Sequence, residues 1–531
     1  LFRSWTIRGA ELLDDCHRFV RADVRIAGGR IDRIAPGVEP AEGDLDASGL
    51  TLSPGFIDIH CHSGFAALAY PQAESKVLAG VTTDVSGNCG SSPFPLAGEF
   101  LARRRSEWAP RGVSVDWATP AAYFDRAEAA PSSVNRALLA GHGAIRAAVV
   151  GYADREMTSD ERAAMRRHLA DALEAGAVGL SSGLIYPPGC YADVDELADL
   201  AAVAADVGGF YSSHIRSEND RLLEAIDEFL EVVRRSGVRG QLSHLKASDP
   251  ANWPKARPAV ERLRAARAEG LAVTADRYPY LSSMTSLDAF LLPNWAFEGG
   301  REAQLARLAD AADRRRIADA FRARRPDEAF FDRITIAAVR PDGPQGAVGK
   351  TLRELGDEAG RDPLEVGLDL LREHEADVDV TYASMSEDNL RLILAEPYVA
   401  VGSDAGLRNL PDADAGRPRG LAHPRAYGTP GRFLGTYVRE QGVMDWQEGI
   451  RRLTSLPADV VGLAGRGRLE EGAWADLVLF DRSRVADRAT YEHPWASPAG
   501  IRHVVVAGER VVADGRHTGA MPGRVLKRED A

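Results

Sequence analysis

The feature that most constrains the fold is a repeated alternation of short apolar runs with helical patterns over residues 54–464. The runs predict strands at 56–60, 81–86, 137–141, 178–182, 210–214, 241–244, 272–276 and 399–403. Helical patterns lie between them, for example at 159–175, 195–207 and 221–236. Strands that are apolar throughout are buried on both faces, which is typical of a parallel sheet covered by helices. Eight such units predict an α/β fold with a closed (β/α)₈ TIM-like barrel.

Both ends of the chain carry a different pattern, in which apolar and polar residues alternate and glycines mark the turns. It runs through 5–9 and 24–31, and it returns at 476–481 and 503–508. Alternation with a period of two predicts antiparallel strands. We therefore predict a small β-sandwich domain built from residues 1–53 and 465–531, with the barrel over 54–464.

The longest gap in the barrel pattern lies between the seventh and eighth predicted strands. The strand–helix alternation is lost there, and we expect an inserted lobe at about 288–345, before the last barrel strand. The segment 379–382 has the composition of a strand. A ninth barrel strand at this segment is therefore an alternative to the eight-stranded count.

Composition and charge exclude several classes of function. The formal net charge is −13, and an acidic chain lacks the basic surface that nucleic acid or an anionic membrane binds. No apolar stretch approaches the roughly 18 residues that a membrane span requires. Four cysteines in 531 residues do not make a disulfide framework. We expect a cytoplasmic protein without nucleic-acid or membrane partners. Nothing in the sequence indicates how many copies of the chain associate.

Metal-ligating and titratable side chains follow the carboxyl ends of the predicted barrel strands. They are His60, His62, Cys89, His214, His244 and Asp404. In a barrel these strand ends meet at one mouth, where the loops build the active site. The two histidines of the first strand are two residues apart, so both imidazoles face the same side. Each residue alone has an ordinary structural explanation, whereas their shared placement favours a metal site.

The types of these side chains point to zinc and to hydrolysis. Imidazole nitrogen and thiolate sulfur are ligands that zinc prefers, and glycines around Cys89 allow its backbone to bend tightly. Cys61 faces away from the two histidines that flank it, so we predict a packing role for it. A catalytic zinc site keeps an open position and lowers the pKa of its water to about 7, which yields hydroxide. Asp404 is the natural general base and acid, and the implied reaction is hydrolysis of an amide.

Several motifs follow one another along the chain. The segment Pro-Gly-Phe-Ile-Asp-Ile-His-Cys-His at 54–62 and the segment 467–478 resemble, respectively, the first-strand signature of the amidohydrolase superfamily and the segment with which those enzymes re-enter their small β domain. The narrower motifs are Gly87-Asn88-Cys89-Gly90, Ser181-Ser182-Gly183-Leu184-Ile185-Tyr186, His214-Ile215-Arg216-Ser217-Glu218, Ser243-His244-Leu245-Lys246, Tyr278-Pro279-Tyr280 and His423-Pro424-Arg425. In this order they cover nearly the whole chain, and together they resemble the N-acyl-D-amino-acid deacylase (D-aminoacylase) family of that superfamily.

The resemblance implies a zinc-dependent hydrolase with a small-molecule substrate. Such an enzyme cleaves the amide bond of an N-acyl-D-amino acid to a carboxylate and the free D-amino acid. The resemblance places Cys89, His214 and His244 on a tightly bound zinc ion. It places His60 and His62 at a second, weaker metal site.

The resemblance also assigns the remaining roles. Asp404 acts as the general base and then as the general acid. Lys246, Tyr278 and Arg425 bind the α-carboxylate of the substrate, and a planar guanidinium suits a carboxylate because it can donate two parallel hydrogen bonds.

Two other functions are alternatives. A cyclic amidase of the hydantoinase or dihydroorotase type, or a deacylase of a specialised acylated metabolite or peptide, would use the same scaffold. The Cys89 motif, and the absence of a lysine near residues 178–182, count against a cyclic amidase. A catalytically inactive barrel used as an interaction module predicts lost ligands, whereas all six positions at the strand ends hold chemically competent residues.

Overall fold

A computed structural model of the chain describes residues 4–13, 18–39, 43–325, 327–411 and 420–528. In these residues the strands form a parallel barrel sheet, a mostly antiparallel sheet from both chain ends, and a smaller three-stranded sheet. The barrel carries the predicted site residues. The other two sheets are formed by the two chain ends and by the segment between the seventh and eighth barrel strands.

The barrel strands of the described chain have the same order in space as in sequence. They are Phe56–Cys61, Val81–Ser86, Asn135–Gly141, Gly179–Gly183, Phe210–His214, Arg239–Leu242, Val273–Arg277 and Val399–Val401, each parallel to the next. The first and last strands meet where the Asp404 amide donates to the His60 carbonyl over 2.8 Å and Cys61 pairs with Ala405. The predicted eight-stranded barrel is confirmed.

Local sequence signals explain where the helices around the barrel sheet begin and end and which face they bury. Helix Ser159–Ala175, which has its predicted bounds, begins at a capping box between Thr158 and Glu161 and ends at Gly176. Helix Leu222–Ser236 buries a stripe of apolar residues against the barrel. Gly240 allows this close packing, because a Cβ atom there would lie 2.5 Å from a methyl carbon of Val233.

The helices bury their apolar faces against the sheets. The α-helices are Ala66–Ala69, Glu74–Val77, Gly98–Trp108, Pro120–Ala129, His142–Val149, Ser159–Ala175, Val194–Asp206, Leu222–Ser236, Ala256–Ala268, Leu287–Leu291, Gly300–Ala309, Ala311–Arg324, Phe330–Arg333, Leu352–Ala359, Pro363–Glu373, Glu387–Leu394, Arg425–Arg432, Trp446–Leu453 and Ser455–Val461. A π-helix spans Phe433–Glu440, and 3₁₀ turns span Ala109–Arg111, Gly189–Tyr191, Pro250–Lys255 and Asn294–Phe297. Of the helices in the described residues, none combines the length and the apolar composition that crossing a membrane needs.

A lobe is inserted between the seventh and eighth barrel strands. Its antiparallel strands are Ser282–Ser286, Ile334–Val339 and Val378–Ala383. The alternative of a ninth barrel strand at 379–382 is wrong, because this segment pairs with the two other lobe strands. The lobe elements run from 282 to 383, beyond the expected 288–345 on both sides, and they enclose an apolar core of their own.

The strands from the two chain ends form one connected sheet within the described residues. They are Trp5–Leu13, Phe19–Ala27, Arg30–Ala35, Leu45–Asp46, Thr51–Pro54, Leu477–Phe480, Ile501–Val506, Glu509–Ala513 and Arg516–His517. Thr51–Pro54 pairs antiparallel with Leu477–Phe480, which joins the beginning of the chain to its end. Apolar residues of both halves, among them Ile7, Val24 and Leu479, share one core.

Candidate active site

Three of the predicted site residues leave the barrel strands in a left-handed backbone conformation. The φ angle is +52° at Cys89, +34° at His244 and +52° at Asp404. Residues other than glycine rarely adopt this region, and they do so where the surrounding structure holds them. Ligand atoms of these three residues and of His60 all lie within 4.8 Å of one another. The unusual turns therefore coincide with the convergence of the side chains.

The Cys89 sulfur lies among the predicted imidazoles. It is 3.3 Å from Nε2 of His60 and 3.6 Å from Nε2 of His244. The rings of His214 and His244 meet edge to face, with their centres 4.4 Å apart. The rings of His60 and His62 lie 5.6 Å apart. The structure thus brings all five predicted ligand residues to one place.

Glycines on both sides of Cys89 let its loop lie directly against the neighbouring strands. A Cβ atom at Gly87 would lie 2.3 Å from the carbonyl oxygen of Leu139, and one at Gly90 would lie 2.8 Å from the amide nitrogen of Gly183. Both glycines also have positive φ angles. No larger residue fits at either position without moving backbone atoms, so the loop sequence fixes where the sulfur lies.

The electrostatics of the cluster favour a thiolate at Cys89. Burial raises the pKa of this thiol, but the charge of His60 and hydrogen bonds with His244 and His60 lower it well below its usual range. The thiolate is the form of cysteine that binds metal ions. Cys61 differs, because burial raises the pKa of its thiol well above the usual value, and its sulfur lies 3.2 Å from Nζ of Lys76.

Asp404 lies where the first and eighth strands meet, and its carboxylate lies between the Arg425 guanidinium and two imidazoles. Its Oδ1 is 3.0 Å from Nε2 of His62 and 3.5 Å from Nε2 of His60, and its Oδ2 is 2.8 Å from Nη1 of Arg425. Burial raises the pKa of Asp404, but the charges of Arg425 and His244 and the hydrogen bond with His62 lower it well below its usual range. Asp404 is therefore an ionised carboxylate that is available as a base.

Sequence reasoning missed Asp276, which is buried behind the cluster at the end of the seventh strand. Its carboxylate lies 3.0 and 3.1 Å from Nδ1 of His60, and it accepts the backbone amide of His244 over 2.9 Å. A carboxylate on one ring nitrogen fixes the tautomer and leaves the other nitrogen free to bind a ligand. The other site residues were predicted from their positions at strand ends, and Asp276 has the same kind of position.

Glu218 was also missed, although it belongs to the motif that begins with His214. Its Oε1 lies 2.9 Å from Nδ1 of His244 and forms an ion pair with Nζ of Lys246. The Lys246 amine is also 2.8 Å from Nδ1 of His244. Glu218 thus orients a predicted metal ligand, and it partly neutralises a predicted substrate-binding lysine.

Replacing Asp276 with asparagine is expected to reduce metal affinity or activity by about 10- to 100-fold, the range typical of partners behind metal ligands. An asparagine oxygen in the place of Oδ1 can still accept the His244 amide. Its NH₂ group then replaces the Oδ2 atom that lies 3.1 Å from Nδ1 of His60 and from Nε2 of Gln241, so the imidazole is held less well. Zinc titration and activity measure the effect. As a control, Asp476→Asn alters a buried carboxylate of the small sheet that binds Arg466, and it should leave zinc affinity unchanged.

The three predicted carboxylate-binding residues lie on one side of the cluster. The Arg425 guanidinium lies 4.7 Å and the Lys246 amine 5.8 Å from the centre of the Tyr278 ring. The Tyr278 hydroxyl is buried and has no hydrogen-bond partner among the described residues. Burial raises the pKa of Tyr278, but the charges of Lys246, Arg277 and Arg425 lower it below the usual value. A free hydroxyl among cations suits an anionic group.

The residues of the cluster fit a zinc ion. Both ring nitrogens of His214 are buried and have no hydrogen-bond partner in the part of the chain that the structure describes. Buried polar atoms are almost always hydrogen-bonded. The nitrogens of this imidazole therefore suit a ligand from outside the protein, such as a metal ion. One thiolate together with several imidazoles is a donor set that zinc prefers.

A cavity of about 870 Å³ opens above the cluster. Its wall is formed by the barrel loops and by the inserted lobe, and it includes His62, Tyr186, Tyr278, Phe290 and Arg425. Cavities that bind small molecules typically measure about 300–1,000 Å³. The space is therefore sufficient for a small organic substrate whose one end reaches the cluster.

Comparison with known proteins places the chain among hydrolases of one family. The model of the amidohydrolase family matches residues 45–512. The chain is 38% identical to an N-acyl-D-glutamate deacylase and 33% identical to a D-aminoacylase, both from Alcaligenes xylosoxydans xylosoxydans. Each match spans 512 residues and 96% of this chain, and the matches cover 93% and 94% of the two relatives.

A solved structure gives the same result. The N-acyl-D-glutamate deacylase from Bordetella bronchiseptica, complexed with zinc and a phosphonate inhibitor that mimics the tetrahedral intermediate, is 35% identical. It matches with a TM-score of 0.81 over 99% of this chain and 100% of that structure. These findings confirm the predicted resemblance. The chain belongs to the amidohydrolase family, and within it to the group of N-acyl-D-amino-acid deacylases.

Proposed function

We propose that this protein is a zinc-dependent deacylase that hydrolyses N-acyl-D-amino acids to a carboxylate and the free D-amino acid. One observation carries the proposal: a zinc-type ligand cluster, an ionised Asp404 and a cationic group around Tyr278 line a single cavity. The relatives with names of this activity support the choice of substrate class.

The ligand residues divide into two sets. Cys89, His214 and His244 would hold the tightly bound zinc, and His60 with His62 would form a second, weaker site. When bound, zinc supplies a Lewis acid that polarises the amide carbonyl and lowers the pKa of water. Asp276 and Glu218 orient the imidazoles from behind, because each holds an Nδ1 atom.

Asp404 moves the proton. Its carboxylate, held ionised beside His62 and Arg425, accepts a proton from the attacking water and returns it to the amine nitrogen that leaves. The side chain is buried, and its contacts to both neighbours limit its rotation, so it faces the reacting amide without reorganisation. The products are a carboxylate and a free amino group.

Arg425 and Tyr278 would bind the α-carboxylate of the substrate. Nε of Arg425 and the hydroxyl of Tyr278 are buried donors without a partner among the described residues. Lys246 adds positive charge at this place, although Glu218 already binds its amine. An α-carboxylate fixed here would leave the acylated nitrogen nearer the ligand cluster, as hydrolysis requires.

Replacing Tyr278 with phenylalanine is expected to raise KM by about 10- to 100-fold, because a hydrogen bond to a charged group contributes about 1.5–3 kcal/mol. The free energy of unfolding should not fall, since the hydroxyl has no hydrogen-bond partner to lose in the described part of the chain. The matched control is Tyr280→Phe. The Tyr280 hydroxyl donates to Asp487 over 2.8 Å, so its loss should lower stability while KM is unchanged. The reverse pattern in the two variants would contradict the assignment.

We also propose the domain division 1–53 with 465–531 for the small β domain, and 54–464 for the barrel with its lobe. The pairing of Thr51–Pro54 with Leu477–Phe480 supports it, because the sheet then contains both ends of the chain. The barrel strands all lie between these limits.

The direct test is a substrate screen with purified, zinc-loaded protein. Paired N-acetyl-D- and N-acetyl-L-amino acids with acidic and apolar side chains are assayed for acetate release, and hydantoin and dihydroorotate are assayed for ring opening. We expect release from D-enantiomers. Activity confined to L-enantiomers, or ring opening without acetate release, would refute the proposed function.

A further inference from the structure

A fully buried lysine lies behind the site and takes no part in the proposed reaction. Lys76 is 1% exposed, belongs to helix Glu74–Val77 and does not line the cavity. Its amine is paired with carboxylates of two barrel strands, at 2.7 Å from Oδ2 of Asp58 and 3.7 Å from Oδ2 of Asp84. Burying a charged amine is costly even when it is paired, so its remaining contacts are informative.

Besides the Cys61 sulfur at 3.2 Å, the other contacts of Lys76 fall on both neighbours of Asp404. Its amine donates to Oγ of Ser403 over 3.0 Å and to the carbonyl oxygen of Ala405 over 3.1 Å. Asp58 completes the arrangement, because its Oδ1 accepts the backbone amide of Ser403 over 2.7 Å. The residues before and after the proposed general base are therefore fixed to one buried ion pair.

The local backbone needs this support. The eighth strand ends at Val401, and no regular ladder joins it to the first strand among the described residues. Asp404 follows in a left-handed conformation, with φ at +52°, which costs free energy for a residue with a side chain. Such a conformation persists only where neighbouring contacts determine it. Lys76 supplies two of these contacts.

We infer that Lys76 is a positioning residue: its amine holds Ser403 and Ala405 so that Asp404 keeps the left-handed turn that directs its carboxylate to His62. The inference rests on the proposed role of Asp404. Lys76 acts through the segment 403–405 and does not line the cavity. Its amine contacts the Cys61 sulfur between His60 and His62, but within the described residues it makes no hydrogen bond to either imidazole. It determines the rate of proton transfer and leaves substrate binding and zinc content as they are.

The main test is Lys76→Met, which removes the charged donor and keeps a side chain of similar length. We expect kcat to fall by about 100-fold, since a misplacement of about 1 Å has effects of this size, while KM changes less than about threefold. Zinc per chain should equal that of the unaltered protein. A crystal structure should show that the Asp404 φ angle has left the left-handed region and that the 3.0 Å contact with His62 is lost.

The matched control is Arg452→Met. Arg452 is also a 1% exposed cation bonded to the eighth-strand segment, because its Nη1 donates to the carbonyl of Val399 over 2.7 Å. It lies at the other end of that strand, away from Asp404. We expect a loss of stability in this variant with kcat within about threefold of the original, because only a general packing role is affected.

A smaller change keeps the inference testable if Lys76→Met does not fold. Ser403→Ala removes one of the two acceptors of the Lys76 amine that flank Asp404, and we expect kcat to fall about 10-fold with unchanged zinc content. The inference is overturned if the folded Lys76→Met variant keeps both the Asp404 conformation and kcat. If that variant does not fold, the same two measurements on Ser403→Ala decide. A protein without deacylase activity would instead refute the proposed function, and the Asp404 conformation in the variant crystal structure would still test Lys76.

Discussion

Replacing Asp404 with asparagine is expected to lower kcat by about 10³- to 10⁴-fold, the upper part of the range for general acid–base catalysis. The asparagine amide cannot accept the proton of the attacking water or return one to the leaving amine. It has the size and shape of the carboxylate and can lie in the same place beside Arg425, so the fold and the ligand cluster should be kept. Steady-state kinetics and zinc analysis of the same preparation measure both quantities.

Asp379→Asn is the matched control for this prediction. Asp379 also lines the cavity, but it lies on a lobe strand away from the ligand cluster. Partial desolvation in the cavity wall and the charge of Asp377 raise its pKa to about 6, so both carboxylates are ionised in an assay at about pH 8. Each variant then removes one negative charge from the same cavity. Equal losses of kcat in the two variants would show that cavity charge, and not proton transfer by Asp404, determines the rate.

Replacing Cys89 with alanine is expected to weaken tight zinc binding by more than about 100-fold, the upper limit for residues that only orient a ligand. The variant loses the one thiolate of the cluster, and imidazoles alone leave that position without a donor. Activity should fall in proportion to bound zinc. Titration with zinc, followed by metal analysis after dialysis, measures the affinity.

Cys190→Ala provides the control for Cys89. Both cysteines are buried and free, but Cys190 lies outside the ligand cluster, and burial raises the pKa of its thiol to about 12. Its replacement should leave zinc content and activity unchanged. Full zinc occupancy in Cys89→Ala after dialysis would contradict the assignment of the tight site.

Much of the architecture was predictable because burial on both faces leaves a clear pattern in a strand. The strand at 210–214 and the helix at 159–175 have the bounds that their sequences indicate. The lobe was predicted less well. Strand Val378–Ala383 alternates buried and exposed residues, as half-buried strands do, and such a pattern does not identify the sheet in which a strand pairs.

The site residues were likewise predictable only in part. His60, Cys89 and Asp404 were recognisable from their positions at strand ends, because a parallel barrel brings those ends together whatever the details of its loops. Asp276 ends a strand as well, yet a carboxylate that serves an imidazole has no distinct spacing in sequence. Its role depends on a 3.0 Å contact between residues that are 216 positions apart.

The sequence by itself determined the barrel, the kinds of ligand and the family, because these follow from local periodicity and from residue types at strand ends. The tertiary structure alone decided that Asp276 and Glu218 orient the imidazoles and that Lys76 supports the Asp404 turn. It also decided that the Tyr278 hydroxyl has no hydrogen-bond partner within the residues that the structure describes. The physical reason is that hydrogen bonds and ion pairs act over about 3 Å and need particular directions. Only the folded chain brings distant residues within that range.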